Sequence, residues 1–306
     1  MAMAIAVQAS RRKKKRLGSS LPVVLVAPAV ILLLLFTVAP AIYAIDLSFL
    51  HLKITGGLLG LGKPKEVWAG LANYIATTTD PEFWGSVGRM LIVAVIGVPA
   101  TIILASLFAL CLDAKRARLV GITRLAIFLP YAVPGVVASL LWGFMYLPAT
   151  SPIGGEFINY FGSTGVFFAV ANVAVWGVIG FNMVIIYTAL RGLPPELFEA
   201  AELDGASEFQ IATRIKLPLI LPAVTMVALF SVIGGLQLFN EPTTLKPLAN
   251  AITSTWSPLM YVFTQANVKN DIYGGAATSF LLILMTVGLA VIVNLVGRII
   301  SARGSK

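Results

Sequence analysis

The sequence predicts an all-α integral membrane protein with six membrane-crossing helices. Composition, long apolar runs and the distribution of basic residues each support this fold class. Of the 306 residues, 58% are hydrophobic and 11% are charged, and the mean hydropathy is +0.92. Soluble domains carry about 25% charged residues. The chain is therefore too apolar for an ordinary soluble domain, and a membrane protein is the expected class.

Each of six apolar runs is long enough to cross the hydrocarbon core of a bilayer, which takes about 20 residues. The runs cover residues 21–45, 86–112, 122–147, 166–190, 217–240 and 276–300. The first run follows the basic cluster RRKKKR and is longer than the core of a signal peptide, which spans about 7–15 residues. We therefore expect an uncleaved first membrane helix.

The positions of lysine and arginine predict the orientation of these helices. With the N-terminus placed inside, 16 of the 22 basic residues lie in inner segments and 6 lie in outer ones. Basic residues collect in the cytoplasmic segments of membrane proteins, so the N- and C-termini are both expected in the cytoplasm. The same bias explains the net charge of +9 without nucleic-acid binding, and the N-terminal basic cluster is expected to touch anionic lipid headgroups.

The organisation that follows is one membrane domain, residues 21–300, between a basic N-terminal tail, residues 1–20, and a short C-terminal tail, residues 301–306. The predicted outer connections are residues 46–85, 148–165 and 241–275, and the inner ones are residues 113–121 and 191–216. We expect Tyr74, Phe83 and Trp84 to be interfacial anchors in the first outer connection. In the third, STWSPLMYVFTQANV predicts a short amphipathic helix at the outer surface.

Several chemistries lack the residues that they need. The chain has one cysteine, Cys111, and one histidine, His51, which excludes an intrachain disulfide and leaves metal clusters and Ser-His-Asp catalysis little to work with. Cys111 lies in the apolar run LASLFALCL and is expected to be buried. An ion-coupled secondary transporter would need ionisable groups at mid-membrane, and an intramembrane enzyme would need a catalytic pair there. The six runs provide neither.

The segment GLLGLGKP, residues 57–64, partly resembles a phosphate-binding loop. Gly57, Gly62 and Lys63 fit the pattern G-x-x-x-x-G-K, but Pro64 stands where a magnesium-binding Ser or Thr belongs. The segment also lies on the predicted outer side. We therefore expect a Gly/Pro loop and no nucleotide site.

The second inner connection, residues 191–216 and named here the inner loop, is the most polar stretch between two apolar runs. Gly192 is suited to end the fourth membrane helix, and Pro194 or Pro195 to begin a new one. The expected helix covers about residues 194–206 and ends at Asp204-Gly205. Ser207 and Gln210 then have the spacing of a capping box for a second helix. The loop is thus predicted to be a helix–turn–helix.

From Glu199 to Pro218 the sequence reads E-A-A-x3-G-x9-I-x-L-P. This pattern resembles the EAA loop of permease subunits in ATP-binding-cassette (ABC) importers. LPVVLVAPAVILLLLFTVAPAIYAIDLSF, GLANYIATTTDPEFW, GLQLFNEPTTL and YVFTQANVKNDIYGGAATSF resemble, in order, further segments of the carbohydrate-importer permeases, namely the maltose/glycerol-phosphate-type first subunit. After FNEPTTL the family has a Thr/Gly/Pro-rich turn, whereas this chain has KPLANAITST.

The resemblance implies a type I ABC importer permease fold and a transport subunit that is not itself an enzyme. Expected partners are a second permease subunit, a cytosolic ATPase dimer that holds ATP and Mg²⁺, and an extracellular solute-binding protein; no cofactor is expected on this chain. The location implied is the prokaryotic cytoplasmic membrane. Residues expected to couple the ATPase to transport by alternating access are Glu199, Ala200, Ala201, Asp204, Gly205, Ala206 and Ser207.

The implied solute is a carbohydrate, a di- or oligosaccharide, with glycerol phosphate, a polyol or an amino sugar as alternatives. Polar side chains inside apolar runs are costly unless they face a cavity or a partner. Candidates for the solute path are Asn172, Asn182, Gln237 and Asn240, with Trp176 and Tyr187 as rings that stack on a sugar. Asn182 and Gln237 are the preferred pair. The alternative for each polar residue is a hydrogen bond between helices.

Overall fold

The computed structural model describes residues 21–54, 64–152 and 157–304, which are predominantly helical. The N-terminal basic tail, most of the segment GLLGLGKP and the end of the C-terminal tail lie outside the described residues. In chain order the α-helices are α1 (Leu21–Leu33), α2 (Ala39–Ser48), α3 (Ala72–Thr79), α4 (Pro81–Asp113), α5 (Val120–Phe128), α6 (Gly135–Tyr146), α7 (Gly165–Arg191), α8 (Glu196–Leu203), α9 (Glu208–Gln210), α10 (Leu217–Leu219), α11 (Leu221–Leu236), α12 (Asn240–Leu245), α13 (Pro258–Phe263) and α14 (Ile272–Gly304).

Four helices of the described residues are long and apolar enough to cross a membrane, and two bent pairs bring the total to six. Two of the four, α4 and α7, are the second and fourth predicted helices. The bends are 98° between Val120–Ala132 and Gly135–Tyr146, and 68° between Glu208–Leu219 and Leu221–Leu236. Prolines lie at both breaks. They interrupt the helices because a proline has no N–H to continue the hydrogen-bond ladder. The third and fifth predicted helices are therefore each bent.

The chain divides into two compact units, one that ends at Asp46 and one that begins at Leu47. The first unit contains α1, a π-helical turn at Leu34–Val38 and most of α2, which continue one another. Together they make the apolar helix Val23–Ser48, which is 26 residues long. Its length exceeds the roughly 20 residues that a bilayer requires.

The predicted helical membrane fold is confirmed, and the first outer connection adds a pair of strands that the sequence did not predict. Strands β1 (Leu50–Ile54) and β2 (Pro64–Trp68) form an antiparallel pair in which Leu50 lies opposite Trp68. The Asn73 amide donates hydrogen bonds to the carbonyls of Ser48 and Leu50 at 2.8 and 2.7 Å, which fixes the start of β1. Strand β1, LHLKI, does alternate between apolar and polar residues, but with five residues it is short for a sequence signal, and β2, PKEVW, lacks the alternation that marks a strand.

The core of the second unit lies between α4 and α7, against which α11 and α12 also pack. At one end, Ala105 and Ala109 of α4 are fully buried against large apolar residues of α7 such as Met183 and Ile186. Small residues spaced by four on one helix face allow two helices to approach closely. The α4–α7 pair therefore forms the frame on which the other helices are placed.

At the other end of this frame, the third outer connection folds back onto the bundle. Trp256 is 1% exposed and packs against the Phe167 ring at 5.7 Å. The Arg89 guanidinium of α4 donates to the carbonyls of Thr255 and Trp256, both at 2.9 Å. This connection is therefore held to α4 by hydrogen bonds as well as by apolar packing.

Aromatic residues of the first and third outer connections are more deeply buried than the sequence predicts. Helix α13 forms within the predicted amphipathic stretch, but Met260 and Tyr261 are buried, because α13 packs against α4 and α14. Phe83 is 1% exposed and meets Tyr261 edge-on at 5.8 Å, so its expected role as an interfacial anchor is wrong. Trp84 is half exposed and its indole N–H donates to the Thr78 carbonyl at 2.8 Å.

A close crossing joins the end of α5 to α7 at Gly180. A Cβ added at Gly180 would lie 2.2 Å from the Ile127 carbonyl oxygen and 2.6 Å from Phe128 Cα. These are backbone atoms, so a side chain could be accommodated only by separating the helices. One turn away, an added Cβ at Gly177 would meet nothing within 4 Å.

We therefore expect Gly180→Ala to destabilise the protein by about 1–3 kcal/mol through overpacking, whereas Gly177→Ala removes a helix-interior glycine and stabilises it slightly. Thermal unfolding of the purified protein in detergent, followed by the loss of the folded peak in size-exclusion chromatography, measures both variants. Equal melting temperatures for the two variants would contradict the close crossing.

Candidate functional site

The inner loop forms the predicted helix–turn–helix. Helix α8 begins after Pro195 and ends at Leu203. The N–H groups of Gly205 and Ala206 donate to the carbonyls of Glu202 and Ala201, both at 2.9 Å, which is the double closure of a Schellman motif. Gly205 has a φ of +81°, and an added Cβ would meet nothing within 4 Å. Glycine is therefore required here by the backbone conformation and not by a close neighbour among the described residues.

The turn after α8 is closed by the predicted capping box. The Gln210 side chain accepts a hydrogen bond from the Ser207 N–H at 2.8 Å, and Ser207 Oγ accepts one from the Gln210 N–H at 3.3 Å. From there α9, the π-helical turn Ile211–Lys216 and α10 lead into α11. The candidate coupling residues Glu199, Ala200, Asp204, Gly205 and Ser207 are exposed, and Ala201 and Ala206 are half-buried.

An ionic anchor, formed by Asp113 with Lys216 and Arg191, holds the ends of this loop to the bundle. The Lys216 ammonium donates to Asp113 Oδ2 at 2.6 Å, and Arg191 Nη1 lies 3.8 Å from Asp113 Oδ1. The Asp113 and Lys216 side chains are only 8% and 15% exposed. Asp113 is the last residue of α4, where the helix dipole opposes a negative charge, so its two cations offset an unfavourable position.

Two side chains of helix α8 attach it to the bundle, Phe198 through the anchor and Glu202 through Lys115. The Lys216 ammonium lies 4.9 Å from the centre of the Phe198 ring, which is a cation–π contact. Glu202 accepts a hydrogen bond from the Lys115 ammonium at 2.5 Å. This hydrogen bond raises the pKa of the exposed Lys115 amine, and the surrounding carboxylates act in the same direction. Sequence reasoning missed Asp113, Lys115, Phe198, Glu202 and Lys216 as site residues, because contacts between distant segments leave no local spacing pattern.

Two large apolar side chains of the inner loop face outward from the chain. Leu203, the last residue of α8, is 91% exposed, and Phe209, after the turn, is 76% exposed. Behind them a cavity of about 610 Å³ lies between α8 and the ends of α4 and α7. Cys111 lines this cavity and is exposed, so its predicted burial is wrong. The next residue, Leu112, belongs to the buried core, whereas Cys111 lies on the face of α4 that lines the cavity, which is why the cysteine is accessible.

A second cavity, named here the polar cavity, has a volume of about 410 Å³ and lies between α4, α7, α11 and α12. It brings together three of the predicted pathway residues, Asn182, Gln237 and Asn240. Asn182 is 2% exposed, and its Nδ2 donates only to the Val178 carbonyl of its own helix, at 3.1 Å. Asn182 Oδ1 and Ser231 Oγ are buried and have no hydrogen-bond partner among the described residues.

An unpaired buried polar group costs about 1–3 kcal/mol. Asn182 Oδ1 is an acceptor and Ser231 Oγ both donates and accepts, so the two atoms match the hydroxyl groups of a polar solute. Asn172, by contrast, donates to the Tyr146 hydroxyl at 2.8 Å and links α7 to α6. The alternative of a hydrogen bond between helices therefore applies to Asn172, whereas Asn182 bonds only within its own helix.

The structure does not place Trp176 or Tyr187 at the polar cavity. At about 100° per residue, these side chains point about 120° and about 140° away from Asn182 around α7. Trp176 packs edge-on against Trp142 at 6.0 Å, and Tyr187 lies against Arg124, whose guanidinium carbon is 5.9 Å from the ring centre. The aromatic residues of the described chain that do line the cavity are Tyr131, Phe181, Phe230 and Phe239, and the first two rings are stacked at 4.9 Å.

Glu241 also lines the polar cavity and was not singled out from the sequence. It follows Asn240 directly, just beyond the fifth apolar run. The described residues contain no group of three or more His, Cys, Asp or Glu side chains placed to hold a metal ion. Among the described residues, the polar cavity thus combines largely apolar walls with amides, hydroxyls, aromatic rings and one carboxylate, a set suited to binding a small polar molecule by hydrogen bonds and stacking.

Comparison with known proteins gives this arrangement a context. Residues 74–306 match the family described as "Binding-protein-dependent transport system inner membrane component". In overall fold the chain is similar to a solved bacterial ABC transporter involved in the import of the acidic polysaccharide alginate. The TM-score is 0.76 at 17% identity, and the match covers 91% of this chain and 95% of that one.

Curated relatives are similar over nearly the whole chain. The sulfoquinovosyl glycerol transport system permease protein SmoG of Agrobacterium fabrum is 30% identical, over 87% of this chain and 86% of that protein. The arabinooligosaccharides transport system permease protein AraP of Halalkalibacterium halodurans is 26% identical, over 91% and 90%. The trehalose/maltose transport system permease protein MalF of Thermococcus litoralis is 27% identical, over 94% and 96%.

The family match covers well over half of the chain, and the helices and the fold agree with it. The protein is a multi-pass membrane protein that belongs to the inner membrane components of binding-protein-dependent transport systems.

Proposed function

We propose that the chain is a permease subunit of an ATP-driven carbohydrate importer and forms one half of the translocation pathway. A second permease subunit forms the other half, a solute-binding protein delivers the solute from outside, and an ATPase dimer, the site of ATP and Mg²⁺, supplies the energy. Its location is the prokaryotic cytoplasmic membrane, with both termini inside. The relatives named for arabinooligosaccharides, trehalose/maltose and sulfoquinovosyl glycerol support a glycoside as the solute class.

The observation that carries this proposal is that one helix, α7, connects the inner loop to the polar cavity. Its last residue, Arg191, belongs to the ionic anchor, and Asn182 lies nine residues earlier, about 14 Å along the helix axis. A displacement of α8 reaches the anchor through Phe198 and Lys216. Because a helix moves as a rigid element, such a displacement would reorient the cavity and so alternate its access.

In this proposal α8 is the coupling helix that docks on the ATPase. The exposed Leu203 supplies an apolar contact for a groove, and the exposed carboxylates of Glu199 and Asp204 supply charge around it. In the polar cavity, Asn182, Gln237 and Asn240 form hydrogen bonds to sugar hydroxyls, and the rings of Tyr131 and Phe181 stack on the sugar.

The proposal as a whole is tested by purifying the chain with its partner subunits and reconstituting the complex in vesicles. ATP hydrolysis is then measured with the solute-binding protein and a panel of maltose, trehalose, arabinooligosaccharides, glycerol phosphate and sorbitol. Stimulation by a glycoside is expected. If only glycerol phosphate or only sorbitol stimulated ATP hydrolysis, the solute would be one of the alternatives and not a di- or oligosaccharide.

Leu203→Glu is expected to weaken association with the ATPase at least about tenfold, because a leucine buried at an interface contributes about 1.5–3 kcal/mol. Leu71→Glu places the same charge on an exposed leucine of the predicted outer side and serves as the control. The measurement is the amount of ATPase that co-purifies with the chain as the salt and detergent washes are varied. Retention of the ATPase by Leu203→Glu at the level of the control would contradict docking through α8.

Asp113→Asn is expected to destabilise the protein by about 3 kcal/mol, because it leaves the Lys216 ammonium buried without its partner. Transport per ATP hydrolysed should fall as well, because α8 loses its fixed position. Asp113→Glu keeps the charge and should retain most of the coupling. The melting temperature and the ratio of solute imported to ATP hydrolysed in vesicles measure the two effects. An unchanged ratio in Asp113→Asn would show that the anchor has only a structural role.

Asn182→Ala is expected to raise the KM for transport about tenfold with little effect on assembly, because Asn182 forms no hydrogen bond to another helix of the described chain. Asn172→Ala is the matched control in the same helix. It removes the bond to Tyr146 and should lower the melting temperature while leaving the KM nearly unchanged. Solute uptake into vesicles and thermal unfolding separate the two variants, and a loss of assembly in Asn182→Ala would favour a packing role instead.

A further inference from the structure

The part of the chain that the structure describes gives the polar cavity one charged side chain, and no part of the proposed function uses it. Among the described residues that line the cavity, Glu241 is charged, and none is a lysine, arginine or histidine. None of the ion pairs of the described residues includes Glu241. The carboxylate therefore faces the cavity with no cation of the described residues to neutralise it.

The position of Glu241 explains how this charge is tolerated. A Cβ added at Gly135, the first residue of α6, would lie 3.5 Å from Glu241 Oε1, so the carboxylate lies beside the N-terminus of that helix. The N-terminus of a helix carries a partial positive charge and stabilises anions. Burial raises the pKa of the Glu241 carboxyl, which lies outside the membrane-crossing helices, and the hydrogen bond from its own backbone N–H acts in the opposite direction.

The neighbours of Glu241 place this charge where a solute would bind. Asn240 precedes it and lines the same cavity, as do Gln237 and the buried Asn182, whose Oδ1 has no partner. A carboxylate accepts hydrogen bonds from hydroxyl and ammonium groups but repels other anions. In a cavity with apolar walls this repulsion is stronger than in water, because the effective dielectric constant is lower.

We propose that Glu241 is a specificity-determining residue that admits neutral and amine-bearing carbohydrates to the polar cavity and rejects sugars that carry a carboxylate, sulfonate or phosphate. This inference rests on the proposed function in taking the polar cavity as the solute path. It narrows the solute class by charge, and among the alternatives it favours polyols and amino sugars over glycerol phosphate.

The test measures the charge preference of the cavity directly and needs no knowledge of the natural solute. Cys111→Ser removes the one cysteine of the chain, and Gly234→Cys introduces a thiol in the cavity, where an added Cβ meets nothing within 4 Å. The complete transporter complex in detergent is treated with two methanethiosulfonate reagents of similar size, the cationic ethyltrimethylammonium and the anionic sulfonatoethyl form. Intact-mass spectrometry of this chain gives each rate, which is divided by the rate with a free thiol in solution.

We expect the cationic reagent to react about tenfold faster than the anionic one after this normalisation, and Glu241→Gln to reduce the ratio to about one. Glu196→Gln, on exposed α8 and outside the cavity, is the matched control and should leave the ratio unchanged. A ratio near one with Glu241 present, or a high ratio that survives Glu241→Gln, would overturn the proposal. So would a failure of the uncharged methyl methanethiosulfonate to react, since the cavity would then be closed to solutes.

A failure of this charge-selection proposal is distinguishable from a failure of the proposed function. If no glycoside stimulates ATP hydrolysis but the ratio depends on Glu241, the function is wrong and the charge selection stands. If a glycoside stimulates hydrolysis and the ratio is near one, the function stands and Glu241 is not the residue that selects by charge.

Discussion

The arrangement of the inner face depends on the ionic contacts that the Asp113 carboxylate makes. It lies at the end of α4, accepts a hydrogen bond from Lys216 after the inner loop, and faces Arg191 at the end of α7. Three segments that are distant in sequence therefore meet at one nearly buried charge. The core between α4 and α7 is apolar and nondirectional, so it fixes the separation of the two helices. The ionic contact adds a direction, since only one arrangement of the three segments pairs all the charges.

Much of the fold follows from patterns that are local in the sequence. The six apolar runs predicted the helices, and Gly192, Pro195 and the Ser207–Gln210 pair predicted the ends of the inner helices. These signals depend on backbone chemistry within a few residues, which is why they are legible without a structure. The bends in the third and fifth helices needed the structure, because a proline marks where a helix breaks but not the angle that results.

The candidate sites were less predictable for a related reason. Asn182, Gln237 and Asn240, which line one cavity, were singled out because a polar side chain in an apolar run is conspicuous. Trp176 and Tyr187 were chosen as aromatic residues of the same run, without regard to the face of the helix on which they lie. Glu241 and Asp113 lie just outside the runs, where a charge is unremarkable. Their importance comes from neighbours that are distant in sequence, Gly135 for Glu241 and Lys216 for Asp113.

The Schellman closure of α8 has a consequence for the length of the inner loop. The helix is confined to eight residues between Pro195 and the left-handed Gly205. One inserted or deleted residue would rotate everything beyond it by about 100° and shift it by about 1.5 Å. Leu203 would then turn away from its present direction, even with every side chain retained. The direction of Leu203 therefore depends on the number of residues in this segment as well as on their identity. Loops exchanged between related permeases should keep their function only when this count is preserved.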